Sequence, residues 1–271
     1  HIPLATGLLD KNGCEITSEK LHIKSSENKF IFTNIESEPI PSLLRNFSAP
    51  VKIKFNYSDS DLILLFKYDT DLFNRWEAGQ QYCVNLILRL VKDFQEQKPL
   101  HMSDDILKAY QHVIDDLQHD KWLLSEMLTV PSEKYIAEHM SVIDVDAVHA
   151  AREFVLKFIA SGLRNTFKKL YMQLDTDKPY EFNMKEVGDR YLKNQCLSWL
   201  MLLPDNETHE KIGMKQFHRA LSCNMTDAMA ALRGLVNTQG AWREKALSEF
   251  YAKWHHNALV VDKWFALQAS S

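Results

Sequence analysis

The chain has 271 residues, 45% of them apolar and 25% charged, with 32 Lys and Arg against 36 Asp and Glu for a formal net charge of −4. At roughly 100–200 residues per domain, that length predicts two domains or one large one, enough chain to bury a substantial core. Only eight Gly and eight Pro exclude collagen-like, low-complexity and largely disordered classes, and the absence of a basic excess argues against a nucleic-acid partner.

The first ~57 residues carry a different pattern from the rest. They hold Pro3, Pro39, Pro41 and Pro50, half of the prolines in the chain. Ile2 to Leu9 followed by Asp10-Lys11-Asn12-Gly13 reads as a strand entering a turn. Lys29 to Ile35 is β-branched and aromatic, and Val51-Lys52-Ile53-Lys54-Phe55 alternates apolar and charged, so both read as strands. Pro39 and Pro41 bracket Ile40 and predict an extended linker there.

At Ser58 the period becomes helical. Ser58 with Asp61 forms a capping-box pattern ahead of Leu62 to Phe66. Asp71 opens a long helix through Leu90. Ser103 opens the next, with Ile106, Tyr110, Val113 and Leu117 on one stripe, and Pro131-Ser132 opens another. The longest helix is expected to start at Asp144 or Asp146, with Val155, Ile159, Leu163, Phe167 and Tyr171 recurring every four residues. Gly188 to Leu203 reads as a helix stopped by Pro204. Glu207–Leu221, Thr226–Val236 and Gly240 to about His256 follow, and Asp262–Ala269 reads as a final turn or two. The expected class is mainly α: an irregular α-superhelix of about nine or ten helices in antiparallel pairs, preceded by a small β-sandwich remnant.

Residues with chemistry to offer are few. No run of ~18 apolar residues is present, so no membrane span is expected. The N-terminus has no basic stretch before an apolar core, so no signal peptide is visible. Cys14, Cys83, Cys196 and Cys223 form no CxxC pair and read as buried free thiols in a reducing cytoplasm. His209-Glu210 begins a zinc-helix pattern, but Gly213 stands where the second His is required, so the pair reads as a solvated helix start. On a helix His255 and His256 diverge by about 100°, one expected beside Trp254 and the other wet. His112, His119 and His218, and the pairs Asp104-Asp105 and Asp115-Asp116, read as surface groups. The glycines are scattered singly, without a phosphate loop, and no GxSxG occurs. On the residues alone, no catalytic, cofactor-binding or metal-ligating set can be named. Two readings stay open: a free-standing α-superhelical module binding a peptide or protein in its concave face, and a hydrolase using His209, Glu210 or the acidic pairs.

Four blocks read together resemble bacterial-type aminopeptidase N, a family of zinc metallopeptidases of the M1 class. They are Ile40-Pro41-Ser42-Leu43-Leu44-Arg45-Asn46-Phe47-Ser48-Ala49-Pro50-Val51-Lys52; Phe73-Asn74-Arg75-Trp76-Glu77-Ala78; Phe217-His218 through Asn224-Met225-Thr226-Asp227-Ala228; and Tyr251 to Ala269 around Lys253-Trp254-His255 and Asp262-Lys263-Trp264-Phe265. The resemblance implies residues 1–57 as the last part of an immunoglobulin-like domain and 58–271 as an incomplete C-terminal helical domain, hence an internal fragment. It implies that zinc belongs to the parent only, because neither HExxH nor a Gly-x-Met-Glu-Asn stretch occurs in this sequence. It also implies a cytoplasmic, non-catalytic wall around the parent's peptide cavity. The partners it implies are the missing catalytic domain, peptides held in that cavity and, through uncovered faces, further copies of the fragment.

Overall fold

The computed structural model describes residues 1–203, 206–238 and 241–271, excepting the side chains of 206 and 207. Three strands open the chain: β1 (Ile2–Leu9), β2 (Glu15–Ile23) and β3 (Ile40–Leu43). They form one antiparallel sheet in the order β2-β1-β3. β1 pairs with β2 from Ile2↔Ile23 to Leu9↔Glu15, with a register shift at Leu8/Leu9, and with β3 from Thr6↔Leu43 to Leu9↔Ile40. The β1–β2 turn is set by the Asp10 carboxylate, which accepts from the Asn12 and Cys14 amides (2.8 Å each), and by Gly13 at φ 86°. The Ile40 stretch is therefore a strand and not a linker: on an edge strand, the missing N–H of Pro41 interrupts no ladder. Neither Lys29–Ile35 nor Val51–Phe55 is assigned to a strand, despite their pattern. Pattern marks a segment able to pair, and among the described residues neither segment is paired in a sheet.

Twelve α-helices follow among the described residues: α1 (Asp59–Tyr68), α2 (Leu72–Gln95), α3 (Asp105–Asp116), α4 (Lys121–Met127), α5 (Glu133–Ala137), α6 (Val145–Gly162), α7 (Arg164–Leu174), α8 (Met184–Met201), α9 (Asn206–Ala220), α10 (Met225–Val236), α11 (Ala241–Trp254) and α12 (Ala258–Ala269). The Ser58 capping box is formed in full, and Asp71, Asp120, Ser132, Asn183, Asn224 and Asn257 each cap a helix through the side chain. The chain divides into two compact units. The first comprises residues 1–116 and 129–153, and the second 117–128 and 154–271. In the first, α1 packs on α2 and α3; in the second, α8 packs on α4, α7, α9 and α10.

Three helix boundaries differ from expectation, the first being α8, which begins at Met184, a turn before Gly188, because Asn183 caps it. The helix expected to run from Asp144 through Tyr171 breaks into α6 and α7 at Leu163, whose ψ of 15° follows the Ser161-Gly162 pair, a known site of kinks. The four-residue stripe survives the break, because Val155, Ile159, Leu163, Phe167 and Tyr171 are all buried. With that break α2 becomes the longest helix, at 24 residues. α12 begins at Ala258, a full turn before Asp262, because Asn257 caps it and outweighs the weak helix propensity of Val260-Val261. The expected stop at Pro204 and start at Gly240 lie outside the described residues.

The C-terminal apolar stretch covers itself only in part. Trp264 donates its indole N–H to the Leu247 carbonyl (3.0 Å), packs on Tyr251 with ring centroids 5.0 Å apart, and Leu267 is buried. Leu259 stays 78% exposed and Phe265 58%.

Cysteine burial is split, which corrects the uniform expectation. Cys83 and Cys196 are buried, and Cys14 and Cys223 exposed. Burial pushes the Cys83 thiol up to about 12 and moves Cys196 the same way. A thiol reagent should therefore modify two cysteines in the native chain and four in denaturant; native labelling of Cys83 or Cys196 would contradict the packing described.

Candidate functional site

A groove in the first unit lies beside a buried arginine. After β3 the chain turns sharply through Leu44, Asn46 and Phe47, all at φ between 49° and 62°, a region that costs non-glycine residues roughly 1–2 kcal/mol each. The turn is held by what it carries. Arg45 is only 5% exposed. Its Nε donates to Ser42 Oγ (2.9 Å), Nη1 to Glu15 Oε2 (2.6 Å) and Nη2 to Asp69 Oδ1 (2.9 Å). Thr70 donates to the same Glu15 oxygen (2.7 Å), and the Asn46 amide to Asp71 Oδ2 (2.8 Å). Asn74 donates to both Ser42 Oγ and the Leu43 carbonyl (2.8 Å each). Gly7 of β1 admits this arrangement, since a Cβ there would lie 2.1 Å from the guanidinium carbon. The Arg45 hydrogen bond holds the Glu15 carboxyl below the usual range, whereas burial raises Asp69 in spite of its Arg45 contact.

Beside this junction runs a groove of about 930 Å³. One wall is the segment Ala49–Tyr57; the other is made by α1, α2 and the end of α5, with Leu62, Leu65 and Ala78 buried behind it. Aromatic rings border it: Phe47 on Phe73 (4.2 Å between centroids) and Phe55 on Tyr57 (4.5 Å). Tyr57 is fixed by donating its hydroxyl to the Pro41 carbonyl (2.7 Å). At one end Tyr135 and His139 pack edge to face (5.0 Å), and burial raises the Glu77 carboxyl against the opposing pull of His139.

The second unit holds a polar node under α8, α9 and α10. Lys193 and Asp227 pair at 2.5 Å, both side chains less than 10% exposed. Asn194 donates to the other Asp227 oxygen (2.9 Å). Gln216 donates to Asn194 (2.8 Å) and to the Asp227 carbonyl (3.0 Å), and it accepts from the Tyr171 hydroxyl (3.0 Å). Asn224 caps α10 by accepting from the Asp227 amide (3.2 Å). The adjoining basic residues are paired as well: Lys121 with Asp189, and Arg219 with Asp175 and Asp177.

The titratable residues singled out by sequence are dispersed. His209 and Glu210 are 2% and 7% exposed, so the expected solvated helix start is a buried turn of α9 facing the core. His255 and His256 are both exposed, neither buried beside Trp254; their rings meet edge to face at 5.7 Å. His218 pairs with Glu249 (2.7 Å), and His112 lies against the Tyr68 ring (4.6 Å) with its pKa lowered by burial. Asp105 pairs with Lys108 in the first turn of α3, and Asp116 pairs with Arg75 of α2 (2.6 Å), so both acids serve structural ion pairs. Among the described residues no three His, Cys, Asp or Glu side chains are grouped to hold a metal ion, and no helix is long and apolar enough to cross a membrane. The groove was not anticipated. The junction beside it had a signal, Arg45 as the one charged residue from Ile40 to Val51; so did the second node, where Lys193 shares a helix stripe with Cys196, Leu197 and Leu200.

Comparison with known proteins covers the whole chain. Residues 59–271 match the family described as a domain of unknown function (DUF3458_C) with ARM repeats, and residues 1–56 its companion (DUF3458) with an Ig-like fold. The chain is 35% identical to aminopeptidase N of Escherichia coli over 281 aligned residues, covering 100% of this chain and 32% of that protein. It is 34% identical to aminopeptidase N of Haemophilus influenzae, covering 100% and 31%. A crystal structure of Legionella pneumophila aminopeptidase A in complex with aspartic acid superposes with a TM-score of 0.85 at 34% identity, over 99% of this chain and 32% of that one. The chain thus spans about a third of the length of the relatives it matches.

Proposed function

The chain belongs to the family of DUF3458 Ig-like and ARM-repeat domains that it shares with aminopeptidase N, and from that premise we propose that it forms the non-catalytic helical wall of an aminopeptidase N-like enzyme, bounding the cavity into which peptides enter. The observation that carries this reading is the match, at 35% identity, of the entire chain to about one third of such an enzyme. In this reading the zinc chemistry and the recognition of the peptide's free amine reside on the parent's catalytic domain, whose HExxH and Gly-x-Met-Glu-Asn motifs do not occur here. A wall of this kind acts by shape, excluding water and bulky chains, and requires stiffness more than reactive groups. The blocks shared with the family fit such a role. Arg45 and Asn74 lock β3 to α1 and α2, while Asn224 caps α10 and Asp227 ties it to α8.

A cytoplasmic location, contact with the catalytic domain, and self-association of the isolated chain through exposed faces such as Leu259 and Phe265 belong to the same proposal. The chain alone is expected to bind no stoichiometric zinc and to turn over no aminoacyl p-nitroanilide. Elemental analysis showing one tightly bound zinc per chain, or turnover that persists through rigorous purification, would refute it.

A further inference from the structure

A pocket of about 740 Å³ lies within the second unit, between the α7–α8 connection and the junction of α9 with α10. Three of the cations that line it are neutralised by the protein: Lys193 by Asp227, Lys121 by Asp189, and Arg219 by Asp175 and Asp177. Arg190 is not, although it is only 8% exposed. Its Nη1 donates to the Glu181 carbonyl (3.0 Å), and its guanidinium carbon stands 4.6 Å from the centre of the Tyr180 ring. Among the described residues no carboxylate pairs with it and nothing accepts from Nε or Nη2, yet neither nitrogen is sealed from solvent. With one face on Tyr180 and Nη1 on Glu181, the Nε–Nη2 edge is left for the pocket that Arg190 lines. A guanidinium edge of this kind grips both oxygens of a carboxylate, and an enclosed charge is costly to leave without a counter-ion.

We propose that this pocket binds a small organic dicarboxylate, with one carboxylate seated on the Arg190 fork. The charges left unengaged select that ligand. Lys178 and Lys185 line the same pocket and, among the described residues, have no ion-pair partner; the one acid in the pocket in the same condition is Glu186. Three free cations against one free acid match a dianion. Their placement decides its shape: Arg190 is enclosed, whereas Lys178 and Lys185 are exposed at the rim. Two separated carboxylates can reach from floor to rim, and a compact phosphate cannot. The bound ligand would tie the α7–α8 connection to α8, since Tyr180 and Glu181 of that connection already rest on Arg190.

The proposal does not rest on the cavity-wall reading and is tested separately. Isothermal titration of succinate into the full chain, at constant ionic strength, is expected to show one saturable site, with amide exchange slowed in the α7–α8 connection. Acetate and inorganic phosphate should each bind about tenfold more weakly, the worth of one charge-assisted hydrogen bond. Arg190→Lys keeps the charge but not the fork and should weaken succinate by about the same factor. The double variant Lys178→Gln/Lys185→Gln changes exposed residues alone, so it tests the pocket even if Arg190→Lys fails to fold. It should weaken succinate about tenfold and leave acetate unchanged. Absence of saturable binding, phosphate bound as tightly as succinate, or a succinate affinity indifferent to either variant would overturn it.

Discussion

Arg45→Ala is expected to cost the first unit about 3–5 kcal/mol of folding stability, the largest single-site effect there. The guanidinium is nearly inaccessible and serves Ser42, Glu15 and Asp69 together. Removing it leaves the fully buried Asp69 carboxylate without its counter-charge, and breaking a buried pair from one side costs about that much. It also frees a turn holding three non-glycine residues at positive φ. Removing both charges should cost less: Arg45→Met combined with Asp69→Leu is expected to be clearly more stable than Arg45→Ala, a non-additivity that a double-mutant cycle reads.

The same junction has a defined pH dependence. Glu15 has its native pKa depressed, so its contribution is present above its ordinary range and is lost as pH falls through the native value. Asp69, raised by burial, works in the opposite direction: its contribution is fully present below its ordinary range and is lost as pH rises through the raised value. Denaturant titrations of wild type and Glu15→Gln from neutral to acid pH should show the acid-side loss shrinking in the variant. An Arg45→Ala penalty below about 1 kcal/mol would mean that the junction is a solvated surface cluster.

The second large effect is expected at Asp227. Its two carboxylate oxygens hold Lys193 and Asn194, and its backbone amide and carbonyl engage Asn224 and Gln216. Asp227→Ala should destabilise the second unit by about 3–5 kcal/mol, because Lys193 would be left buried and unpaired. Asn224→Ala removes one helix cap and should cost about 1 kcal/mol. Lys193→Met with Asp227→Leu should recover much of the single-site loss. Near-equal penalties for Asp227→Ala and Asn224→Ala would show that the ion pair adds little beyond the cap.

Much of the helical region was legible because its signals are local. Ser58 with Asp61, Asp71 and Ser132 announce helix starts within four residues, and Val155 to Tyr171 marks a core face by spacing alone. The β region was less legible. A strand needs a partner, so Val51–Phe55 could satisfy the pattern without entering a sheet, while the proline-flanked Ile40 could violate it and still pair on an edge. α4 escaped notice because seven residues are too few for periodicity. Burial of single residues was the least legible. Cys223 is exposed and His209 buried because tertiary neighbours, distant in sequence, decide the environment of each. For the same reason the groove could not be foreseen: its walls come from residues 42 to 139.

The cavity-wall reading meets its most direct test in an exchange of parts. Escherichia coli aminopeptidase N, with its matching segment replaced by this chain, should fold, hydrolyse dipeptides, and keep the parent's ratio of turnover on dipeptides to turnover on long or folded chains. The same chimera carrying Asp227→Ala, with a loosened wall, should lose part of that discrimination while still cleaving dipeptides. A well-folded, active chimera that cleaves long and short substrates without distinction would contradict the assignment of this chain as the wall that governs entry.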